Sequence, residues 1–198
     1  MKIVMRLFII KFLCSFIFIG ATFPQKLLIP MDLLQTDHLK AYGIAFWSLQ
    51  KGENVDWLLN YRGGSFMINY DGILERELKI RGVYYEPINT VVITEIFAKI
   101  EENNMDMVLL EKLPKIAVYS PPDKQPWDDA VTLALAYAEI EYDVVFDDEV
   151  LSDKLKEYDW LHLHHEDFTG QYGKFYKNYH NASWYRNMEI QFQATAQK

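Results

Sequence analysis

Short apolar runs alternate with amphipathic stretches along the chain from residue 24 onward. The runs, most of them bounded by turn residues, predict strands at 26–30, 55–59, 83–85, 116–119, 142–146 and 160–164. Helical spacing of apolar positions between them predicts helices following 36 and at 72–80, 91–102, 126–139 and 148–156, and in most of 172–198. Strands that alternate with helices predict an α/β fold, in which mostly parallel sheets carry helices on both faces.

Capping residues, glycine and proline mark the ends of several predicted elements. Thr36 is placed to cap the first helix, and Gly52 lies just beyond its end. Pro126 fits the first turn of a later helix. Leu113-Pro114-Lys115 is interpreted as a boundary between two segments, and strands again alternate with helices after it. We therefore predict an α/β segment at 24–113 and a second one at 114–198.

The first residues differ in composition from the rest of the chain. Lys2, Arg6 and Lys11 precede an apolar run from Phe12 to Gly20, and small residues follow it. A basic start, a short apolar core and small residues are typical of a secretory signal peptide, predicted here at 1–23. The run is too short to cross a bilayer, so membrane contact is expected only if this segment stays uncleaved.

Composition excludes several classes of function. The only cysteine, Cys14, lies in the signal segment, so a mature chain has no disulfide, thiolate metal site or cysteine nucleophile of its own. The formal net charge of −8 argues against binding to nucleic-acid backbones, which requires clustered Lys and Arg. The expected location is the periplasm or cell envelope, and the partner is a small polar molecule. A protein partner is not predicted from the sequence.

The segment from Tyr158 to Gln171 gathers reactive side chains at the end of a predicted strand. His164, His165, Glu166 and Asp167 place two imidazoles beside two carboxylates. Because α/β folds present their sites at the carboxyl ends of strands, we predict these four residues as the catalytic candidates. One histidine would act as general acid or base, and one carboxylate would orient it.

This cluster has three interpretations: a metal site, a crevice for a small polar ligand, and a structural strand end with satisfied histidines. The metallo-β-lactamase pattern H-x-H-x-D-H is incomplete here, because Glu166-Asp167 follows His162-x-His164-x and the final histidine is missing. We predict no metal and no other cofactor.

The loop after the second predicted strand has the components of an anion site. Arg62 offers a planar guanidinium, Gly63 and Gly64 let a ligand approach the backbone, and Ser65 adds a hydroxyl. The alternative is an ordinary tight turn, in which the glycines serve only the backbone.

Further candidates follow other predicted strands. Asp32 and His38 come after the first strand, and Asp128 lies in the corresponding loop of the second half. Each is a predicted ligand-binding residue; the alternative for acidic residues at these helix starts is stabilisation of the helix dipole. If the loops share one sheet edge, Arg62, Asp128 and His165 form one crevice.

The carboxyl-terminal part of the chain is strongly aromatic. It is interpreted as core or partner surface, with a sugar-stacking platform as the alternative. The aromatic residues are Tyr172, Phe175, Tyr176, Tyr179, Trp184 and Tyr185.

Several long motifs resemble those of one bacterial envelope family, usually labelled asparagine synthetase B-like. The stretches are LIPMD (28–32), QTDHLKAYG (35–43), WLLNYRGGSF (57–66), PWDDAVTLAL (126–135) and LHLHHEDFTGQYG (161–173). The resemblance covers nearly all of the chain after the signal segment. It implies an exported protein whose second part is a flavodoxin-like domain similar to class I glutamine amidotransferases.

The enzymatic label of that family conflicts with the residues present. Asparagine synthetases of the B type use a cysteine at the mature amino terminus and an S-G-G-x-D-S pyrophosphate loop. Here Lys2 follows the first methionine, Cys14 lies in the signal segment, and no such loop occurs. The resemblance therefore implies a fold and a location more than a reaction.

Three functions follow from these patterns. The leading expectation is an amidotransferase-like α/β protein that binds or processes a small polar ligand at strand ends. The second is a non-catalytic envelope binding or scaffold protein, since a fold does not confer activity. The third is the glutamine-dependent ligase of the family label.

The second half supplies few strands for an amidotransferase-like sheet. Predicted strands in this half are at 116–119, 142–146 and 160–164, and no strand with a nucleophilic cysteine follows Asp167. Trp184, Met188 and Phe192 recur every four residues in the last predicted helix and require a surface to bury them. The expectation is a truncated chain, with any catalytic cysteine beyond residue 198.

Overall fold

The computed structural model describes residues 24–120, 129–163 and 171–198. The protein is a mixed α/β structure, as the sequence predicts, and it divides into two compact units. The first unit comprises residues up to Thr36 together with Asn54–Leu110, and the second comprises Asp37–Glu53 together with Glu111–Lys198. The segment 37–53 interrupts the first unit in sequence but belongs to the second.

The first unit is built around a five-stranded sheet in the order β4-β1-β3-β2-β5. Every neighbouring pair in this sheet is antiparallel. Its elements are β1 (Lys26–Ile29), β2 (Val55–Leu59), a 3₁₀ turn (Tyr61–Gly63), β3 (Ser65–Asn69), α2 (Gly72–Arg81), β4 (Glu86–Ile88), α3 (Thr90–Glu102) and β5 (Asp106–Leu110).

The prediction of mostly parallel sheets is wrong for this unit. The sequence pattern treats the residues after β2 as a loop leading to a helix, whereas Ser65–Asn69 returns as a strand paired with both β1 and β2. Asp106–Leu110 is a second strand that the pattern omits. The predicted strand at 83–85 lies instead at Glu86–Ile88, where Pro87 is tolerated because β4 is an edge strand.

One face of the first sheet packs against α3. Ile96 and Ile100, one helical turn apart, bury their side chains in a cluster with five residues on or near the sheet. Asn89 caps this helix by accepting hydrogen bonds from the amides of Val91 and Val92. The sheet-side members of the cluster are Leu28, Leu58, Tyr61, Met67 and Ile88.

The second unit holds a three-stranded parallel sheet in the order β7-β6-β8. Here the prediction of a parallel sheet agrees with the structure. The elements are α1 (His38–Gln50), β6 (Ile116–Tyr119), α4 (Ala130–Ala138), β7 (Asp143–Val145), α5 (Asp147–Leu151), a 3₁₀ turn (Lys154–Glu157), β8 (Trp160–Leu163), α6 (Gln171–Tyr179) and α7 (Ser183–Ala196).

Helices α1 and α4 approach closely in the second unit. Phe46 of α1, Leu135 of α4 and Ile116 of β6 form one buried cluster. Gly43 faces the carbonyl of Ala138, and a Cβ at position 43 would overlap that oxygen. The missing side chain is what permits this contact between the helices.

Several predicted boundaries shift in the structure. Asp37, not Thr36, caps α1 by accepting from the amide of Lys40, while the Thr36 hydroxyl donates to the carbonyl of Gly82. The helix predicted at 148–156 is α5 followed by a separate 3₁₀ turn, with Asp153 in the left-handed region between them. Pro126, predicted in the first turn of a helix, lies outside the described residues.

The carboxyl-terminal residues are helical, as predicted, but a different side chain is buried. Tyr185 is 2% exposed, whereas Trp184 and Phe192 of the predicted apolar stripe are 50% and 47% exposed. The ring of Tyr185 meets Tyr176 edge-on with centroids 6.0 Å apart. Among the described residues, no helix is long and apolar enough to cross a membrane.

The contact at Gly43 generates a stability prediction. We expect Gly43→Ala to lower the free energy of unfolding by about 1–3 kcal/mol, because the added methyl overlaps a backbone oxygen that cannot rotate away. Gly72→Ala is the matched control: its Cβ would meet nothing within 4 Å, and it lies in the first turn of α2. Urea denaturation measures both variants, and equal stabilities would contradict the assigned packing.

Candidate functional site

The turn between β2 and β3 has an unusual backbone. Asn60 and Arg62 adopt positive φ angles of 65° and 46°, and Gly63 and Gly64 follow at 84° and 92°. Left-handed conformations cost free energy in residues that carry a Cβ, so the surrounding contacts must hold Asn60 and Arg62 in place. The chain reverses within these residues, and this reversal makes β3 antiparallel to β2.

Arg62 forms ion pairs with two carboxylates. Its Nε donates to Oδ2 of Asp32 at 2.7 Å, and its Nη1 lies 2.9 Å and 3.0 Å from the two carboxylate oxygens of Glu86. β1 and β2 are both antiparallel to β3, which lies between them, so their carboxyl ends meet at one sheet edge. The position of Asp32 after β1 and of Arg62 after β2 therefore brings these two side chains together.

Gly63 and Ser65 serve the turn itself. The amide of Met31 donates to the carbonyl of Arg62, and a Cβ on Gly63 would overlap the carbonyl oxygen of Met31. The Ser65 hydroxyl is fully buried and donates to the carbonyls of Tyr61 and Arg62 at 3.0 Å and 3.3 Å. The predicted ligand groups are thus engaged within the protein.

The contacts of this turn favour the structural interpretation over anion binding. The charge of Arg62 is already balanced by Asp32 and Glu86, which would repel an incoming anion. The indole N–H of Trp57 donates a hydrogen bond to the carbonyl of Gly64 at 3.1 Å. Glu86 was not among the predicted site residues. Glu86 is the first residue of β4, and the antiparallel pairing of β4 with β1 brings it to Arg62. The sequence pattern does not show this pairing.

Electrostatics at this cluster follow from the same contacts. The hydrogen bond from Arg62 holds the pKa of Asp32 below its ordinary value, assisted by the amide of Leu34 and opposed by burial. Gln35 completes the neighbourhood: its side-chain amide donates to the carbonyls of Pro30 and Tyr84. The side chain of Gln35 thus ties the loop after β1 to the segment before β4.

His38, a predicted ligand-binding residue, lies in the second unit. It is the first residue of α1 and is exposed. The preceding Asp37 caps the helix and also accepts a hydrogen bond from the hydroxyl of Tyr137. Lys40 lies over the Tyr137 ring, 4.7 Å from its centroid, and pairs with Glu139 at 2.8 Å. These contacts make Asp37 a structural residue of the contact between α1 and α4.

A second polar cluster lies at the carboxyl edge of the parallel sheet. Asp129 caps α4, and its Oδ1 accepts from the amides of Val131 and Thr132 at 2.7 Å and 3.2 Å. The same oxygen is 3.2 Å from Nε2 of His162 on β8. With the proton on Nε2, the carboxylate orients the ring, and Nδ1 is then the basic nitrogen.

Ser120 follows β6 at the same edge of the sheet. It is fully buried, and its hydroxyl has no hydrogen-bond partner in the part of the chain that the structure describes, although its amide donates to the carbonyl of Val145 at 3.0 Å. In the register of the sheet, Val118 lies opposite His162. Because side chains alternate between faces, Ser120 is placed on the same face as Val118 and His162. Ser120 and His162 thus lie on one face of the sheet, and the start of α4 brings Asp129 into contact with His162.

The four predicted catalytic residues lie outside the described residues. His164, His165, Glu166 and Asp167 are all in the segment 164–170. The predicted crevice that joins Asp128 and His165 to Arg62 also falls partly outside them and stays a prediction. Within the ranges 24–120, 129–163 and 171–198, no group of three or more His, Cys, Asp or Glu side chains is arranged to hold a metal ion.

The sequence contained signals for part of this second cluster. A carboxylate such as Asp129 at the start of a helix favours the helix dipole, and the alternation of side chains along a strand places His162 on the face opposite Leu161 and Leu163. The alternation of side chains along β8 was therefore sufficient to orient His162. The contact between His162 and Asp129 does not follow from the sequence, because it depends on where α4 packs against the sheet. Ser120 carried no sequence signal, because a serine after a strand is common in loops.

No protein-family model, curated protein or solved structure matches this chain.

The contact between Asp32 and Arg62 predicts a pH dependence of stability. The folded-state pKa of Asp32 lies below its ordinary value of 3.8, so the pair stabilises the fold above that value. This contribution is lost as the pH falls through the folded-state pKa. We expect Asp32→Asn to be less stable than the wild type at neutral pH, with the difference shrinking below about pH 4.

Chemical denaturation followed by circular dichroism across this pH range measures the effect. Glu53→Gln, at an exposed position, serves as the matched control and should track the wild type throughout. A difference between Asp32→Asn and the wild type that stays constant down to about pH 2 would show that the ion pair does not contribute.

Proposed function

We propose that the second unit binds or processes a small polar ligand at the carboxyl edge of its parallel sheet. The observation that carries this proposal is the buried hydroxyl of Ser120, which has no hydrogen-bond partner among the described residues and lies on the sheet face of His162, itself in contact with Asp129. A buried hydroxyl without a partner costs about 1–3 kcal/mol. Because the hydroxyl is buried, a ligand reaches it only when the groups that cover it move aside, and a hydrogen bond from the ligand then removes this cost.

The strand order supports the position of the site. The chain passes from the central strand β6 to β7 on one side and then to β8 on the other. In doubly wound sheets, ligands bind where successive connections leave in opposite directions, at the carboxyl ends of the strands. The order second-first-third is that of the first three strands of a flavodoxin-like sheet, which supports a flavodoxin-like class for this unit; its likeness to amidotransferases rests on the sequence motifs alone.

The chemistry of the site suits a neutral or zwitterionic ligand with hydrogen-bond donors. Asp129 supplies negative charge, His162 supplies a basic nitrogen, and the Ser120 hydroxyl accepts or donates. If the protein is an enzyme, His162 or the predicted His164 and His165 would transfer protons, with Glu166 or Asp167 in an orienting role. An anion is less suited, because Asp129 already occupies the amino-terminal end of α4.

The alternative function is a non-catalytic envelope binding or scaffold protein. The first unit favours it, since Arg62, Asp32 and Glu86 bind one another and hold a turn. The glutamine-dependent ligase of the family label is the third possibility. Release of ammonia from L-glutamine by the purified chain would separate the ligase from the other two.

Ser120 provides the sharpest test of a ligand site. We expect Ser120→Ala to leave the thermal stability of the ligand-free protein unchanged or higher, because it removes a hydroxyl that has no hydrogen-bond partner among the described residues. The same variant should lose the rise in melting temperature produced by a ligand. The probes are L-glutamine, L-asparagine and L-glutamate, each tested by thermal denaturation.

Controls for this test come from the same unit. Ser152→Ala removes a serine hydroxyl that donates to the carbonyl of Glu149, and it should retain the ligand response. His162→Ala should weaken the response while leaving α4 capped by Asp129. A clear loss of stability in Ser120→Ala, with the ligand response intact, would contradict the proposal.

Export is part of the same proposal and rests on the basic and apolar pattern of residues 1–23. We expect the protein in the periplasmic fraction of a Gram-negative host, with its amino terminus processed near residue 23. Cell fractionation and amino-terminal sequencing measure both. An intact Met1 in the cytosolic fraction would rule export out.

A further inference from the structure

The two edges of the five-stranded sheet differ in their capacity to pair with another strand. At one edge, β4 is three residues long, contains Pro87 and begins with the charged Glu86. Short length, proline and charge are the features by which natural sheets prevent edge-to-edge pairing. The opposite edge, β5, is five residues long, has no proline and carries one charge, on Asp106.

Side chains on both faces of β5 are exposed. Met107, Val108 and Leu109 are 41%, 39% and 48% exposed. Met107 and Leu109 lie on the sheet face that carries Leu58, which packs against α3, and Val108 lies on the opposite face. β5 therefore exposes apolar side chains on both faces of the sheet beside unpaired backbone groups, a combination that monomeric proteins avoid.

One hydrogen bond shows which backbone groups of β5 point outward. The amide of Met107 donates to the side-chain carboxylate of Asp106 at 2.7 Å, so it is not directed at β2. Because backbone groups alternate along a strand, Met107 and Leu109 direct their N–H and C=O groups outward, and Asp106, Val108 and Leu110 direct theirs at β2.

We propose that β5 is a dimerisation edge, at which two copies of this chain pair antiparallel about a twofold axis through Val108. In this register Met107 of each copy lies opposite Leu109 of the other, and the outward backbone groups form hydrogen-bonded pairs on both sides of the axis. The amide of Met107 exchanges the Asp106 carboxylate for a backbone carbonyl of the second copy. Two five-stranded sheets become one continuous antiparallel sheet.

A second copy fits this edge for reasons of charge and symmetry. The two Asp106 carboxylates lie at opposite ends of the pairing, each beside Leu110 of the other copy, so no like charges meet. Apolar side chains meet on both faces across the axis. A twofold arrangement closes both β5 edges at once and leaves only the β4 edges, which are protected.

Sedimentation and light scattering of the full chain over about three decades of concentration measure the association. The expected result is a reversible dimer. Met107→Pro should raise the dimer dissociation constant by about tenfold or more while the fold is kept, because proline is tolerated where the amide faces outward. Val108→Pro is the matched control and should lower the melting temperature, because it removes an amide directed at β2.

Cross-linking tests the register independently. In a Cys14→Ser background, Val108→Cys should form an intermolecular disulfide on mild oxidation. The two Val108 residues would face each other at about 4.5 Å between Cα atoms, within the range of a disulfide. Leu109→Cys should not cross-link, because the two copies of this residue are diagonal at about 7–8 Å.

Two results would overturn the proposal. One is a wild-type chain that stays monomeric at the highest concentration. The other is a dimer that persists in Met107→Pro and gives equal cross-linking of Val108→Cys and Leu109→Cys, since such a dimer uses another surface.

Discussion

The left-handed turn from Asn60 to Gly64 is the constraint on which the first unit depends. It reverses the chain between β2 and β3 within a few residues, so that β3 pairs antiparallel with β2 and also with β1. A Cβ on Gly63 would overlap the carbonyl of Met31, so the turn can approach the loop after β1 only with glycine at that position. The central strand of the sheet follows from this local geometry.

The same turn accounts for the positions of the charged groups. It places Arg62 at the edge where β1 and β2 both end, and Asp32 and Glu86 neutralise it there. Half-buried charge requires compensation, and Arg62 receives it from Asp32 through Nε and from both carboxylate oxygens of Glu86 through Nη1. What resembles an anion-binding loop in the sequence is, in the folded chain, a closed set of internal contacts.

In the second unit, by contrast, the polar groups at the sheet are only partly satisfied by internal contacts. Asp129 stabilises the start of α4 and contacts His162, so one carboxylate serves both the helix and the polar edge of the sheet. The buried Ser120 hydroxyl has no hydrogen-bond partner within 24–120, 129–163 and 171–198. A buried polar group without a partner lowers the stability of the fold, and the carboxyl ends of parallel strands are where α/β proteins bind ligands. This contrast between the units is the physical basis for proposing a site in the second.

The sequence by itself determined most of the individual elements, because hydrophobic period and capping residues act over a few positions. Strands β1, β2 and β6 and helices α2 and α3 lie where the pattern predicts them. Strand direction was decided by tertiary structure, since β3 and β5 are short strands whose pairing joins residues far apart in sequence. The partners of Arg62 and His162 were likewise set by pairing between strands and by helix placement. Local patterns report which residues are apolar, whereas long-range contacts decide which charges meet.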